Sequence, residues 1–192
     1  DIGGNGIVGL IEGKKGTSEK VVALRADFDA LPITEENEVS YKSQNLGVMH
    51  ACGHDAHTAS LLGTAEILRG MKDQFEGTIK LIFQHEEEKF PGNASIKIKE
   101  DALQQHHVHG IIGQHVLPYM DAGKIGIRKG MYMASADEIY LTVRGKGGHA
   151  ALPSKFIDPV MITAQTLVTL QQVVSRSDPR TPSVLSFGHI EA

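Results

Sequence analysis

An α/β fold, a mostly parallel sheet flanked by helices, is the architecture this 192-residue sequence predicts. Three observations predict it. Val21-Val22-Ala23-Leu24 is an unbroken apolar run, the pattern of a strand covered on both faces. Strand-like and helix-like stretches alternate as far as Gly113 in a β-α-β-α-β rhythm, which favours parallel pairing. Potential metal ligands fall just after strands or at the entrance to a helix, where such a sheet gathers its chemistry.

The elements follow in order. The first strand runs into Arg25-Ala26-Asp27-Phe28-Asp29-Ala30-Leu31-Pro32, where proline makes further strand unfavourable. A helix is predicted from Asp55, its candidate N-cap, to about Gly70, with Leu61, Leu62, Ala65 and Leu68 on one face. Ile79, Leu81 and Phe83 alternate with Lys80 and Gln84 in a strand that delivers Glu86-Glu87-Glu88. A short helix over 94–103 and a strand over 108–113 complete the rhythm. After about Ala134 the pattern changes. Ile139, Leu141 and Val143 alternate with polar residues, as in a strand with one solvated face, ending in Gly145-Lys146-Gly147-Gly148-His149. A helix is expected next, with Asp158 as N-cap, Pro159 at its first position and Val160, Ala164, Leu167 and Val174 on one stripe. Ser183–Phe187 reads as a final strand. The chain is therefore expected to divide into residues 1–134, a metal-binding catalytic domain, and 135–192, part of a small α+β domain.

Composition narrows the function. A net charge of -4 without a basic stripe argues against nucleic acid as a partner. No apolar run approaches the roughly 18 residues that span a bilayer. One cysteine excludes an internal disulfide framework and fits a reducing, cytoplasmic setting. The chain opens without an initiator Met, so its start reads as cut.

Four residues carry the chemistry: Cys52 and His54 in a tight glycine-containing loop, Glu88 closing an acidic triplet, and His115 after Ile111-Ile112-Gly113. Thiolate, imidazole and carboxylate form a set that zinc, manganese, cobalt or nickel accepts. Glu87 and Glu88, consecutive at a strand end, should point to opposite sides. One then binds metal while Glu87, as general base, takes a proton from the activated water. A rival reading makes Cys52 the nucleophile of a thiol amidase. A third makes the chain a catalytically incomplete binding or dimerisation fragment. The Gly145–Gly148 stretch lacks the spacing of a phosphate loop, and His106, His107 and His109 receive no role.

Arg25–Pro32, Met49-His-Ala-Cys-Gly-His-Asp-Ala-His57, Phe83–Glu88, Gly113–Val116 and Gly145–His149 together resemble the successive motifs of the M20 metallopeptidase family. The similar branch is its amidohydrolases: hippurate hydrolases, N-acyl-amino-acid deacylases and auxin-conjugate hydrolases. The resemblance runs from about Val21 to the end of the chain. It implies a zinc-exopeptidase-like catalytic domain followed by part of a lid or dimerisation domain, and hence a homodimer. It also implies two divalent ions held by Cys52, His54, Glu88 and His115, with Glu87 as base. His149 matches the lid histidine that stabilises the oxyanion, often in the partner subunit's site. Asp27 and Asp29 are expected to support the ligands from behind, and His57 and Asp55 to be structural members of their loop. The implied activity is hydrolysis of the amide bond of N-acyl amino acids; carboxypeptidase or dipeptidase action is the alternative within the family. The sequence departs from the branch where His85 and Glu86 replace the usual Pro-Ala. Family members are also longer and carry a further histidine ligand, so this chain alone is expected to be inactive.

Overall fold

Residues 6–88 and 106–191 are described in the computed structural model. The expected helix over 94–103 lies outside the described residues. The chain divides into two compact units, Asp1–Tyr132 and Met133–Ala192.

The first unit is built on β1 (Ile7–Glu12), β2 (Val21–Asp27), α1 (His54–Gly70), β3 (Thr78–Gln84) and β4 (Gly110–Gly113), in the sheet order β1-β3-β2-β4. β2 runs parallel to both β3 and β4, while β1 pairs antiparallel with β3. The sheet is thus mixed, with its parallel part in the centre. β1 went unread in the sequence. It is an outer strand whose residues are exposed or half-buried, and Gly9 interrupts its apolar run.

Parallel register aligns Val22 with Ile79, Leu24 with Leu81 and Ala26 with Phe83, so these residues share one face. α1 covers that face with Leu61 and Ala65, and Ala26, Leu61, Leu81 and Phe83 form the buried core. Full burial of a side chain such as Leu61 contributes about 1.5–3 kcal/mol. The stripe of α1 differs from expectation at one position. Leu62 is 56% exposed, because the buried face follows His54, His57, Leu61, Ala65 and Leu68 at helical spacing. The polar members of the β3 alternation, Lys80 and Gln84, are buried as well.

The same register places the ends of β2 and β3 side by side, Asp27 opposite Gln84, and Arg25 opposite Gly113 of β4. Residues that follow these three strands therefore emerge along one edge of the sheet. The Arg25 guanidinium fastens that edge, donating to Gln84 Oε1 at 2.9 and 2.8 Å and to Asp27 Oδ2 at 2.7 Å.

The second unit contains α2 (Pro159–Ser175). As expected, the Asp158 carboxylate caps it, accepting from the backbone N–H of Val160 and Met161 at 2.9 and 3.2 Å. Its half-buried stripe is Thr163, Leu167, Leu170 and Val174; Val160 and Ala164 are exposed. The strands expected over 139–143 and 183–187 are not formed among the described residues. A strand requires a neighbouring backbone to complete its ladder, and among the described residues of this unit the only such pairing is an isolated bridge between Lys146 and Ile157. Among the described residues no helix is long and apolar enough to cross a membrane.

Candidate metal centre

The centre starts from a glycine. α1 begins at His54, and its N-cap is Gly53 at φ 85°, in the left-handed region, with no side-chain cap. Asp55, the expected cap, lies instead in the first turn, where its charge favours the helix dipole. A Cβ at Gly53 would lie 2.3 Å from Val116 Cγ2, so both conformation and space demand glycine here. The turn sets Cys52 and His54 on either side of the helix entrance. Thr58 fastens that turn to the sheet by donating its hydroxyl to the Asp27 carbonyl at 2.9 Å.

Hydrogen bonding decides which atom each histidine presents. His54 is 1% exposed, and its Nδ1 lies 2.9 Å from Asp29 Oδ1 and 3.1 Å from the Asp29 carbonyl oxygen. Both partners only accept, so Nδ1 carries a proton, and in the neutral ring Nε2 is left with a lone pair. That Nε2 is buried without a hydrogen-bond partner. Around it stand Glu88 Oε1 at 3.6 Å, Asp27 Oδ2 at 3.7 Å and Glu87 Oε2 at 4.0 Å. His115 follows the same logic: its Nδ1 donates to the Val116 carbonyl at 2.8 Å, and its Nε2 faces Cys52 Sγ at 3.4 Å.

The carboxylates arrive by a kink. Glu86 has φ 52°, and the chain bends through Glu87 and Glu88 beyond the end of β3. Consequently the two glutamates do not point to opposite sides, as strand geometry predicts; both approach the same His54 nitrogen. Asp29 fixes this bend, accepting the Glu88 backbone N–H on Oδ2 at 2.9 Å while Oδ1 holds His54. Burial works against ionisation of Asp27. The hydrogen bond from His57 and the charge of Arg25 outweigh it and hold the carboxyl below its ordinary range.

Two donor groups result, Cys52–His54–His115 and His54–Glu87–Glu88, each with its ligand atoms within 4.8 Å of one another. Bonds of roughly 2.0–2.3 Å at tetrahedral angles put the ligands of one ion about 3.3–3.6 Å apart. The 3.4 and 3.6 Å separations at His115 and Glu88 match that spacing. An orphaned buried lone pair facing thiol and carboxylates is a donor set that fits a divalent cation. Only His54 is deeply buried; Glu87 and Glu88 keep 42% and 26% of their side chains exposed, so substrate and water have access.

The five residues predicted from sequence around the metal, Cys52, His54, Glu87, Glu88 and His115, are thus brought together, with Asp27 and Asp29 behind them. His149 belongs to the second unit. There its Nδ1 accepts the Ala151 N–H at 3.1 Å, and two of the preceding glycines are required by close packing: a Cβ at Gly145 would lie 2.3 Å from the Ile157 carbonyl oxygen, and one at Gly148 2.8 Å from Phe156 Cβ. His57, expected as a structural member of the loop, lies in the first turn of α1. Its signal was the three-residue spacing from His54 on a helix.

Comparison with known proteins identifies the family. Residues 23–189 match the model of peptidase family M20/M25/M40. The chain is 49% identical over 168 residues to an N-acyl-L-amino acid amidohydrolase of Geobacillus stearothermophilus, covering 87% of this chain and 45% of that protein. The crystal structure of an aminohydrolase from methicillin-resistant Staphylococcus aureus is similar, with a TM-score of 0.67 and 42% identity over 91% of this chain and 46% of that one. A Bacillus subtilis protein described as a dinuclear metal binding peptidase gives a TM-score of 0.61 and 40% identity over 65% of this chain and 34% of that one. The chain spans about half the length of the curated relatives it matches.

Proposed function

This chain belongs to peptidase family M20/M25/M40, and we propose that it is the metal-binding part of a hydrolase that cleaves the amide bond of N-acyl amino acids. One observation carries the reading. His54 is locked by Asp29 into the tautomer that leaves Nε2 a buried, unpartnered lone pair, aimed at the remaining donors. Cys52, His54, Glu88 and His115 would hold the metal. A second ion is supported by the dinuclear relative. When bound, a divalent ion supplies Lewis acidity, lowering the pKa of the attacking water and polarising the scissile carbonyl. The choice of an N-acyl amino acid follows the amidohydrolase it resembles.

The chain's own residues then move the proton. Glu87, the more exposed of the two glutamates, takes the proton of the attacking water as the C–O bond forms. It returns that proton to the leaving nitrogen as the C–N bond breaks, releasing a carboxylic acid and an amino acid. Arg25 and Asp29 hold the strand ends and the Glu88 peptide still meanwhile. His149 is the proposed donor to the tetrahedral oxyanion. Because its Nδ1 accepts from Ala151, a neutral ring carries its proton on Nε2, as that role requires.

Glu87→Gln tests the assignment in the full-length protein. Metal content should be unchanged, while kcat on a panel of N-acetyl and N-benzoyl amino acids should fall about 10²–10⁴-fold. Turnover near that of the unsubstituted enzyme would remove Glu87 as the base.

A further inference from the structure

His57 looks like a ligand by every simple criterion. It lies three residues after His54 on the same face of α1, is fully buried at 0% exposure, and its ring is 5.5 Å from that of His54. With Asp27 and His54 it forms a third group of donor atoms within 4.8 Å. Its hydrogen bonds say otherwise. The Val116 N–H donates to His57 Nε2 at 2.9 Å, so that nitrogen is an acceptor and carries no proton. The proton therefore sits on Nδ1, which donates to Asp27 Oδ1 at 2.6 Å. Both nitrogens are committed, and no lone pair remains for an ion.

Building on the metal reading above, we propose that His57 is a positioning residue that sets His115. One end of its ring grips Asp27, which Arg25 ties to the end of the sheet at 2.7 Å. The other grips the peptide N–H directly after His115. Among the described residues, this bond and the 3.4 Å contact between Cys52 and His115 are the hydrogen bonds that tie Gln114–Val116 to the start of α1. The His57 ring also meets the His115 ring edge-on, with centroids 4.7 Å apart, and Val116 closes against Gly53. A chain of contacts, Arg25–Asp27–His57–Val116, thus carries the rigidity of the buried sheet to a ligand on an exposed segment. Fixing a ligand from behind in this way typically changes metal affinity about 10–100-fold.

The test uses the full-length protein labelled with ¹⁵N-histidine and loaded with ¹¹³Cd. Direct ¹¹³Cd–¹⁵N coupling is expected at Nε2 of His54 and of His115, and at neither nitrogen of His57. Coupling at His57 with His54 also coupled overturns the positioning role and leaves the metal reading standing. Coupling at no histidine overturns both. Two substitutions add a functional readout. His57→Gln sets an amide oxygen near the place of Nε2 and keeps the Val116 bond. His57→Asn reaches Asp27 but not Val116. Cadmium affinity should fall about 10–100-fold in the Asn variant and stay close to that of the unsubstituted protein in the Gln variant. Equal loss in both, or loss in neither, contradicts the proposal.

Discussion

The Cys52 thiol is pushed up to about 11, first by burial, then by its hydrogen bond to Glu88 and by the negative charges of Glu88, Glu87 and Asp27. Nucleophilic cysteines need the reverse, a positive setting that releases the proton. This favours a ligand over the thiol-amidase reading, since a nearby dication inverts the balance and makes the thiolate the stable form. The sign of the pH dependence follows. Thiolate is the form that alkylates, and a raised pKa keeps the neutral thiol dominant through neutral pH. In chelator-treated protein, the iodoacetamide rate at Cys52 should climb about tenfold per pH unit, levelling only near the pKa of about 11. A plateau below pH 8 would contradict this electrostatic account. Saturating zinc should protect the thiol.

At the scale of the element, the entrance to α1 gives up an ordinary side-chain cap for position. Gly53 in the left-handed region lets Cys52 and His54 converge, and it leaves room for Val116. Gly53→Ala adds about 1–2 kcal/mol of backbone strain and a methyl group that collides with Val116. Gly63, inside the same helix, offers the contrast, because a Cβ there meets nothing within 4 Å. Gly63→Ala should stabilise by about 0.5–1 kcal/mol through helix propensity. Denaturant unfolding of the two variants should move in opposite directions, with only the first losing metal affinity. Equal behaviour would mean that the turn at Gly53 is not under the constraint described.

For the molecule as a whole, the centre concentrates Asp27, Asp29, Glu87 and Glu88 around the two nitrogens of the buried His54 ring, and Arg25 forms an ion pair with Asp27. Such a cluster links folding to its counter-ion. A metal that binds only the folded state stabilises it by about 2.7 kcal/mol at a hundredfold excess over Kd. Chelation of the full-length protein should therefore lower the melting midpoint by several degrees, and zinc or manganese should restore it. A midpoint indifferent to both would count against a metal held by these residues.

Much of this was legible in the residues. The apolar run at Val21, the alternation through Phe83, the start of α2 at Asp158-Pro159 and the five residues of the donor cluster all report local chemistry or periodicity, which sequence carries directly. Tertiary structure decided the rest, because it depended on partners far away in the chain. β1 is a strand only because β3 pairs with it, and residues 139–143 are not, because no neighbour among the described residues supplies a ladder. Glu87 and Glu88 converge because Glu86 kinks and Asp29, 59 residues before Glu88, holds the bend. His54 and His57 share a helix face and a side-chain type. What separates the proposed ligand from the proposed brace is which of their nitrogens is already bonded to Asp29, Asp27 and Val116. Hydrogen bonding assigns each lone pair, and only the folded chain makes those bonds.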